Sequence, residues 1–83
     1  MEDLVKKEIE DFFKVYGKVN FYEGKVDGFD ALGFGVVING DKFEFSAHVS
    51  LWKHWQETTG LKQSLESLLG QFLFEQKINA SMP

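Results

Sequence analysis

Residues 32–49 read LGFGVVINGDKFEFSAHV, and this stretch predicts two antiparallel strands joined by a tight turn at Asn39 and Gly40. Asn-Gly is the preferred pair for a two-residue type I′ turn, because both central residues need a positive φ. A turn of this length fixes which residues face each other. The opposed pairs are Ile38 with Asp41, Val37 with Lys42, Val36 with Phe43, Phe34 with Phe45, and Leu32 with Ala47. A slip of one residue would place Val36 opposite Glu44, so the apolar pattern and the turn specify the same register.

Asp27-Gly28 is a second two-residue turn signal, and it follows a predicted strand over residues 18–26. The register set by this turn places Phe21 opposite Phe34. Together the two turns give two apolar rows across three strands, one of Phe21, Phe34 and Phe45, the other of Val19, Val36 and Phe43. Two turns inferred independently thus predict one inner face, which indicates a three-stranded meander over residues 18–49.

Two features of the predicted sheet need their own interpretation. Glu23 falls opposite Leu32 on the apolar side, so we expect the sheet to fray there or to contain a bulge near Gly24. On the outer face, Tyr22 lies beside two strand glycines and shares that face with Val37. We expect the Tyr22 ring to cover bare backbone. The alternative is a flat surface left open for a partner.

Helical periodicity flanks the meander on both sides. Residues 1–17 are predicted as a helix ended by Gly17, residues 50–59 as a short helix capped by Ser50, and residues 60–78 as a longer helix followed by a frayed tail over 79–83. The apolar faces are formed by Leu4, Val5, Ile9, Phe12, Phe13 and Tyr16 in the first helix, by Leu51, Trp52 and Trp55 in the second, and by Leu61, Leu65, Leu68, Leu69, Phe72 and Leu73 in the third. The sequence predicts a single α+β domain over residues 1–83, ordered α-β-β-β-α-α, with the helices packed on one face of the sheet.

Composition bounds the class of protein. The chain has 83 residues, no cysteine and a high aromatic content, which is typical of a small packed domain without disulfides or thiolate metal sites. The acidic, amphipathic N-terminus does not resemble a signal peptide, and no apolar run approaches the length of a membrane span. We therefore expect a cytoplasmic protein that does not bind membranes.

The charge balance argues against nucleic acid as a partner. Nine lysines and no arginine stand against thirteen acids, for a net charge of −4. Recognition of phosphate and base edges relies on arginine. The element order resembles that of double-stranded-RNA-binding domains, which dock phosphates with a lysine cluster at the start of the final helix. The matching stretch here, GLKQSLE over residues 60–66, has one lysine and an acid, so no residue role is transferred.

Four apolar residues outside the sheet are candidates for partner contact. Trp52 and Trp55 are expected in the core, with a partly exposed aromatic anchor as the alternative. Phe74 and Ile78 fall off the main stripe of the last helix and should be exposed in a monomer. They are the best indication in the sequence of a partner or homodimer surface, unless a bent helix or a folded-back tail buries them.

Only one cluster resembles metal or acid–base chemistry. His54 and Glu57 share a helix face, and His48 lies on the outer face of the sheet. A zinc site needs three or four ligands with supporting contacts, and this spacing matches no recognised motif. Solvated surface side chains are the better interpretation. We expect no catalytic residue, no metal and no cofactor.

The leading functional hypothesis is a small non-enzymatic protein-binding module that occludes a partner's surface, as inhibitors and adaptors do. Compact, acidic, cysteine-free chains of this size are also common among phage and mobile-element proteins, including inhibitors of host defence, and the expectation extends to that setting. The second hypothesis is a nucleic-acid-binding domain that uses the outer face, with Tyr22 stacking and lysines nearby. The third is a small-ligand binder or enzyme with a pocket near Trp52, Trp55 and His54.

Overall fold

The structure is a computed structural model that describes residues 2–81. The elements in chain order are α1 (Glu2–Phe13), β1 (Asn20–Val26), β2 (Phe29–Ile38), β3 (Asp41–His48), α2 (Val49–Glu57) and α3 (Leu61–Ser81). The three strands form one antiparallel sheet in the order β1-β2-β3. The predicted α-β-β-β-α-α order of an α+β fold is confirmed.

Both predicted turns set the register. Asp27 and Gly28 have φ values of 53° and 82°, and Asn39 and Gly40 have φ values of 53° and 85°. These positive values at both central positions are those that a type I′ turn requires. The strand pairing follows the prediction, with Phe34 opposite Phe21 on one side and opposite Phe45 on the other.

The first strand differs from the prediction in two ways. It begins at Asn20 rather than at residue 18, so Val19 lies outside the ladder although its side chain is buried. The expected fray or bulge is also wrong, because Glu23 pairs regularly with Leu32 and Gly24 with Ala31. The Glu23 carboxylate avoids an apolar environment by reaching the first helix, where its Oε1 lies 2.6 Å from the Lys6 Nζ.

The core lies between the inner face of the sheet and the helices. Phe13 of α1 packs on Phe34 and Phe43, with ring centroids 5.2 and 5.8 Å apart. From α3, Phe72 stacks on Phe43 at 4.7 Å. The buried core residues are Val5, Ile9, Phe13, Val19, Leu32, Phe34, Val36, Ile38, Phe43, Trp52, Leu61, Leu65 and Leu69. The predicted apolar stripe of the last helix is therefore confirmed as the face that it buries.

The second helix starts one residue earlier than predicted. His48 occupies the N-cap position with extended backbone, and its side chain accepts no capping hydrogen bond. Ser50 lies inside the helix, so the predicted cap at Ser50 is wrong. The Trp52 side chain points from this helix into the core and is fully buried. Leu51 is about 100° further round the helix. Its predicted place on the inner side is wrong, because its side chain is exposed.

The third helix is longer than predicted. It continues to Ser81, so the frayed tail predicted over residues 79–83 is wrong for 79–81, and 82–83 lie outside the described residues. Its last third is tied to the second hairpin, where Gln76 Nε2 donates to the Ile38 carbonyl at 2.8 Å and to Asp41 at 3.0 Å. Among residues 2–81, no helix is long and apolar enough to cross a membrane.

Candidate functional site

The outer face of the sheet is a surface on which no described helix packs its buried residues. Every buried residue of the helices belongs to the one core on the inner side of the sheet. Along each strand, side chains alternate between the two faces. Residues of even number in β1 and odd number in β2 therefore point outward, and several of these are large and apolar.

A groove lies at one end of this outer face, beside the Asp27-Gly28 turn and the start of α2. Its volume is about 630 Å³. We call it the outer-face groove and define it by six of its lining residues, which are Val26, Ala31, Ser46, His48, Leu51 and His54. Phe29 extends its apolar rim, because its ring packs on that of His48 with centroids 5.7 Å apart.

Three apolar side chains around the outer-face groove are exposed to solvent. Phe29 is 65% exposed, Val26 50% and Leu51 38%. Val26 and Phe29 face each other as the closing pair of the first hairpin, and Leu51 approaches from α2. Exposed apolar residues scattered singly are common, but three from three different elements around one depression form a patch.

Val26 and Phe29 were not among the predicted contact residues, although the strand pattern contains a signal for them. The inner row contains Phe21 on β1 and Phe34 on β2, so the alternation of the strands already assigns Val26 and Phe29 to the outer face. Leu51 could not be assigned in this way. Its direction depends on where α2 begins, and that is set by the burial of Trp52.

Tyr22 and Val37 lie on the other half of the outer face. The Tyr22 hydroxyl is 3.3 Å from the position that a Cβ on Gly35 would occupy, so the ring covers this backbone as expected. Gly33 is covered by Ser46 instead, because a Cβ placed on Gly33 would lie 2.9 Å from the Ser46 Cβ. Val37 faces Lys42 across the hairpin and is exposed.

Lys42 lies between Tyr22 and Val37 on the outer face, because it pairs with Val37 across the hairpin and its ammonium group lies over the Tyr22 ring. Its Nζ lies 5.7 Å from the centroid of the Tyr22 ring and 3.7 Å from Glu44 Oε2. A hydrogen bond to Tyr22 is the main cause that raises the pKa of Lys42 above its usual 10.5, and the charge of Glu44 adds to it. This half of the outer face is therefore a polar cluster around an aromatic ring rather than an apolar depression.

The two tryptophans have different surroundings. Trp52 is 0% exposed, and its Nε1 donates a 2.9 Å hydrogen bond to the Leu32 carbonyl. Trp52 therefore belongs to the core. Its side chain has no accessible surface with which to contact a partner, as had been predicted for it. Trp55 is half-buried, stacked on Phe45 at 5.9 Å and edge-on to Trp52 at 5.4 Å.

Phe74 and Ile78 lie on the exposed side of α3, with 56% and 41% of their surface accessible. The alternative in which a bent helix or folded tail buries them is wrong for the described chain. Gln76 faces the opposite side of the same helix, where it binds the Ile38 carbonyl of the second hairpin. This α3 patch is therefore separate from the outer-face groove.

His48 and His54, which were grouped with Glu57 as the one cluster resembling metal or acid–base chemistry, both line the outer-face groove. Glu57 is exposed two helical positions beyond the half-buried Trp55. In the part of the chain that the structure describes, no three His, Cys, Asp or Glu side chains converge closely enough to hold a metal ion. The two histidines contribute polar edges to an otherwise apolar depression.

Comparison with known protein families, with curated proteins and with solved structures finds no match to this chain. Its function is therefore inferred from the geometry of the two apolar surfaces and from the charge of the chain.

Proposed function

We propose that this protein is a small non-enzymatic protein-binding module that acts by occluding the surface of a partner protein, as an inhibitor or adaptor. The observation that supports the proposal is the outer-face groove, flanked by Val26, Phe29 and Leu51, on a sheet face that no described element covers. Large apolar and aromatic side chains around a depression are typical of the centre of a protein interface.

The shape of the groove favours a protein over a small molecule. Sites for small ligands enclose most of the ligand's surface. Here the apolar side chains stand around a shallow depression that continues along the sheet over Ala31 and Ser46, which also line the neighbouring depression beside Tyr22. Such a surface fits one or two apolar side chains that project from a larger partner. The chain's net charge of −4 further favours a partner whose contact surface is basic.

The α3 patch of Phe74 and Ile78 is a second candidate for the same role, since it presents two apolar side chains one helical turn apart. The outer-face groove combines its apolar rim with a depression that could bury a partner side chain, so we place the α3 patch second. The small size and acidic charge are the support for the narrower prediction of a phage or mobile-element inhibitor of a host protein.

Nucleic acid is less favoured on the same outer face. Lys25 and Lys42 each lie 3.7 Å from an acid, Asp30 and Glu44 respectively, so their charges are offset locally. Binding to nucleic acid that persists at 200 mM salt would support this alternative against our proposal. Absence of binding at 50 mM salt, where electrostatic affinity is greatest, would exclude it.

A pair of matched double variants tests the proposal. The full chain is immobilised and exposed to lysates of a panel of bacterial cells, and captured proteins are quantified by mass spectrometry. Phe29→Thr/Leu51→Gln removes the apolar rim of the outer-face groove with residues suited to a strand and a helix. Phe74→Gln/Ile78→Gln removes the α3 patch. Circular dichroism checks that both variants fold.

We expect at least one protein to be retained by the wild type and by the α3-patch variant but lost from the groove variant. That protein, once purified, should bind the wild type directly and bind the groove variant at least about tenfold more weakly, as for loss of an interface hot spot. A set of captured proteins that is the same for the wild type and the groove variant would contradict the proposal. If captured proteins are lost only from the α3-patch variant, the partner binds at Phe74 and Ile78 rather than at the groove.

A further inference from the structure

The exposed edge of β1 carries a sequence that is complementary to itself. β1 is an edge strand of the sheet, and all its residues are exposed except Phe21, which is half-buried. Around Gly24 the strand reads Tyr22-Glu23-Gly24-Lys25-Val26. If a second copy runs antiparallel with Gly24 opposite Gly24, then Glu23 faces Lys25 twice and Tyr22 faces Val26 twice.

The hydrogen-bonding direction of the backbone fits this register. Val26 and Phe29 close a two-residue hairpin, so they form a hydrogen-bonded pair, and hydrogen-bonded pairs alternate along the strands. It follows that Gly24 directs its N–H and C=O toward β2. Phe21, Glu23 and Lys25 direct theirs toward the open edge. The two-fold centre at Gly24 opposes Glu23 to Lys25, both of which have backbone groups available for a partner strand.

Other registers also pair residues whose backbone groups point toward the open edge, but these registers are less favourable. A two-fold centre at Glu23 places Glu23 opposite its own copy, and a centre at Lys25 places two lysines opposite each other and Glu23 opposite Asp27. Like charges directly opposed across strands are destabilising. A centre at Tyr22 leaves Lys25 beyond the paired region. Of these registers, only the one centred at Gly24 opposes Glu23 to Lys25, although it places Asp27 of the turn opposite Phe21.

Gly24 itself has no other explanation in the fold. A Cβ at this position would meet nothing within 4 Å, and its φ lies outside the positive range that calls for glycine. Glycine weakens the interior of a strand, and it often marks a place where another backbone approaches closely. In the register proposed, the two Gly24 Cα atoms would lie about 4.5 Å apart, as in a non-hydrogen-bonded antiparallel pair.

The charges around this edge continue the same pattern. Within one chain, Lys6 lies 2.6 Å from Glu23, and Lys25 lies 3.7 Å from Asp30. Adding the second copy places Glu23 beside the other chain's Lys25, which gives a row of alternating charge from Lys6 of one chain to Asp30 of the other.

We propose that two copies of this chain associate through antiparallel pairing of their β1 edges about a two-fold axis at Gly24, which makes one six-stranded sheet with its outer-face grooves on the same side. Of the residues that define the outer-face groove, the interface includes only Val26, and it includes neither residue of the α3 patch. Loss of self-association and loss of partner binding can therefore be distinguished. A short strand edge is a small interface, and we expect a dissociation constant on the order of 100 µM.

Single-cysteine cross-linking tests both the association and its register, because the chain contains no cysteine of its own. Gly24→Cys places two thiols opposite each other on the axis. Tyr22→Cys and Val26→Cys place each thiol opposite the other position, so each variant alone has its two thiols far apart. Ser67→Cys, on an exposed position of α3, is the control for random collision.

At 100 µM protein under mild oxidation, Gly24→Cys should form covalent dimers at least about tenfold faster than Ser67→Cys. Tyr22→Cys and Val26→Cys should each match the control alone and should cross-link rapidly when mixed. Gly24→Cys dimers that form no faster than the control would overturn the proposal. Rapid cross-linking of Gly24→Cys without cross-linking in the mixture would overturn the register.

Charge reversal provides a second readout by sedimentation velocity. Glu23→Lys alone and Lys25→Glu alone each oppose like charges at two symmetric pairs, so each should weaken association about tenfold. The double variant restores opposite charges and should recover the dimer. If the edge charges instead serve to keep β1 unpaired, the wild type will sediment as a monomer of 9.5 kDa up to 500 µM, and the proposal is then wrong.

Discussion

Replacing Trp52 by phenylalanine tests how the core holds α2 against the sheet. Trp52 is fully buried, contacts the rings of Phe34 and Phe45 at 6.1 and 5.6 Å, and donates its indole N–H to the Leu32 carbonyl. Trp52→Phe keeps an aromatic ring but removes that hydrogen bond and leaves a small void.

The magnitude follows from these two losses. A buried hydrogen bond contributes about 1 kcal/mol, and loss of the second ring adds about 1 kcal/mol through transfer and cavity terms. The variant should therefore be about 2 kcal/mol less stable. For a chain of 83 residues, with a total stability on the order of 4–12 kcal/mol, this is a large fraction. The midpoint of thermal unfolding should fall by about 8–16 °C.

Urea denaturation followed by circular dichroism at 222 nm measures this free energy without relying on tryptophan fluorescence. Trp55→Phe is the matched control, because Trp55 is half-buried and its indole makes no side-chain hydrogen bond within residues 2–81. We expect it to cost less than about 1 kcal/mol. If Trp52→Phe costs no more than Trp55→Phe, the assignment of Trp52 as the anchor of α2 is refuted.

Four further substitutions have expected outcomes. Gly40→Ala should lower stability by about 1 kcal/mol in urea denaturation, because its φ of 85° strains any side chain, whereas Gly24→Ala, which meets open space, should be neutral or stabilising. Tyr22→Phe should lower the pKa of Lys42 in an NMR titration, because it removes the hydrogen bond that is the main cause of the raised value. Since that pKa is raised above 10.5 by folding, the Lys42 charge stabilises the fold below pH 10.5, and this contribution is lost as pH rises through the folded-state pKa. Gln76→Ala should cost about 1 kcal/mol and should increase amide exchange in the last third of α3, which its hydrogen bonds tie to the second hairpin.

The sheet could be predicted from the sequence because its specification is local. Each two-residue turn determines its own register, and the alternation of the strands then assigns every side chain to a face. The same logic extends to Val26 and Phe29, whose outward direction follows from their place beside Asp27-Gly28.

Other features could not be read from local pattern because they depend on tertiary packing. The start of α2 is determined by the burial of Trp52 against the Leu32 carbonyl, and this start in turn directs Leu51 outward to the groove. The convergence of His48 and His54 on that groove has the same origin. Glu23 is accommodated without a bulge because its side chain is exposed and pairs with Lys6 of α1. The pattern of the strand contains neither fact.

The measurement that bears most directly on this account is the set of NMR contacts between α-protons of facing residues in the sheet. Such contacts are strong in non-hydrogen-bonded antiparallel pairs. The account predicts them between Phe21 and Phe34 and between Glu23 and Leu32, with Phe29 directed to solvent. Contacts shifted by one residue would turn Phe29 toward the helices and contradict both the inner core and the outer-face groove.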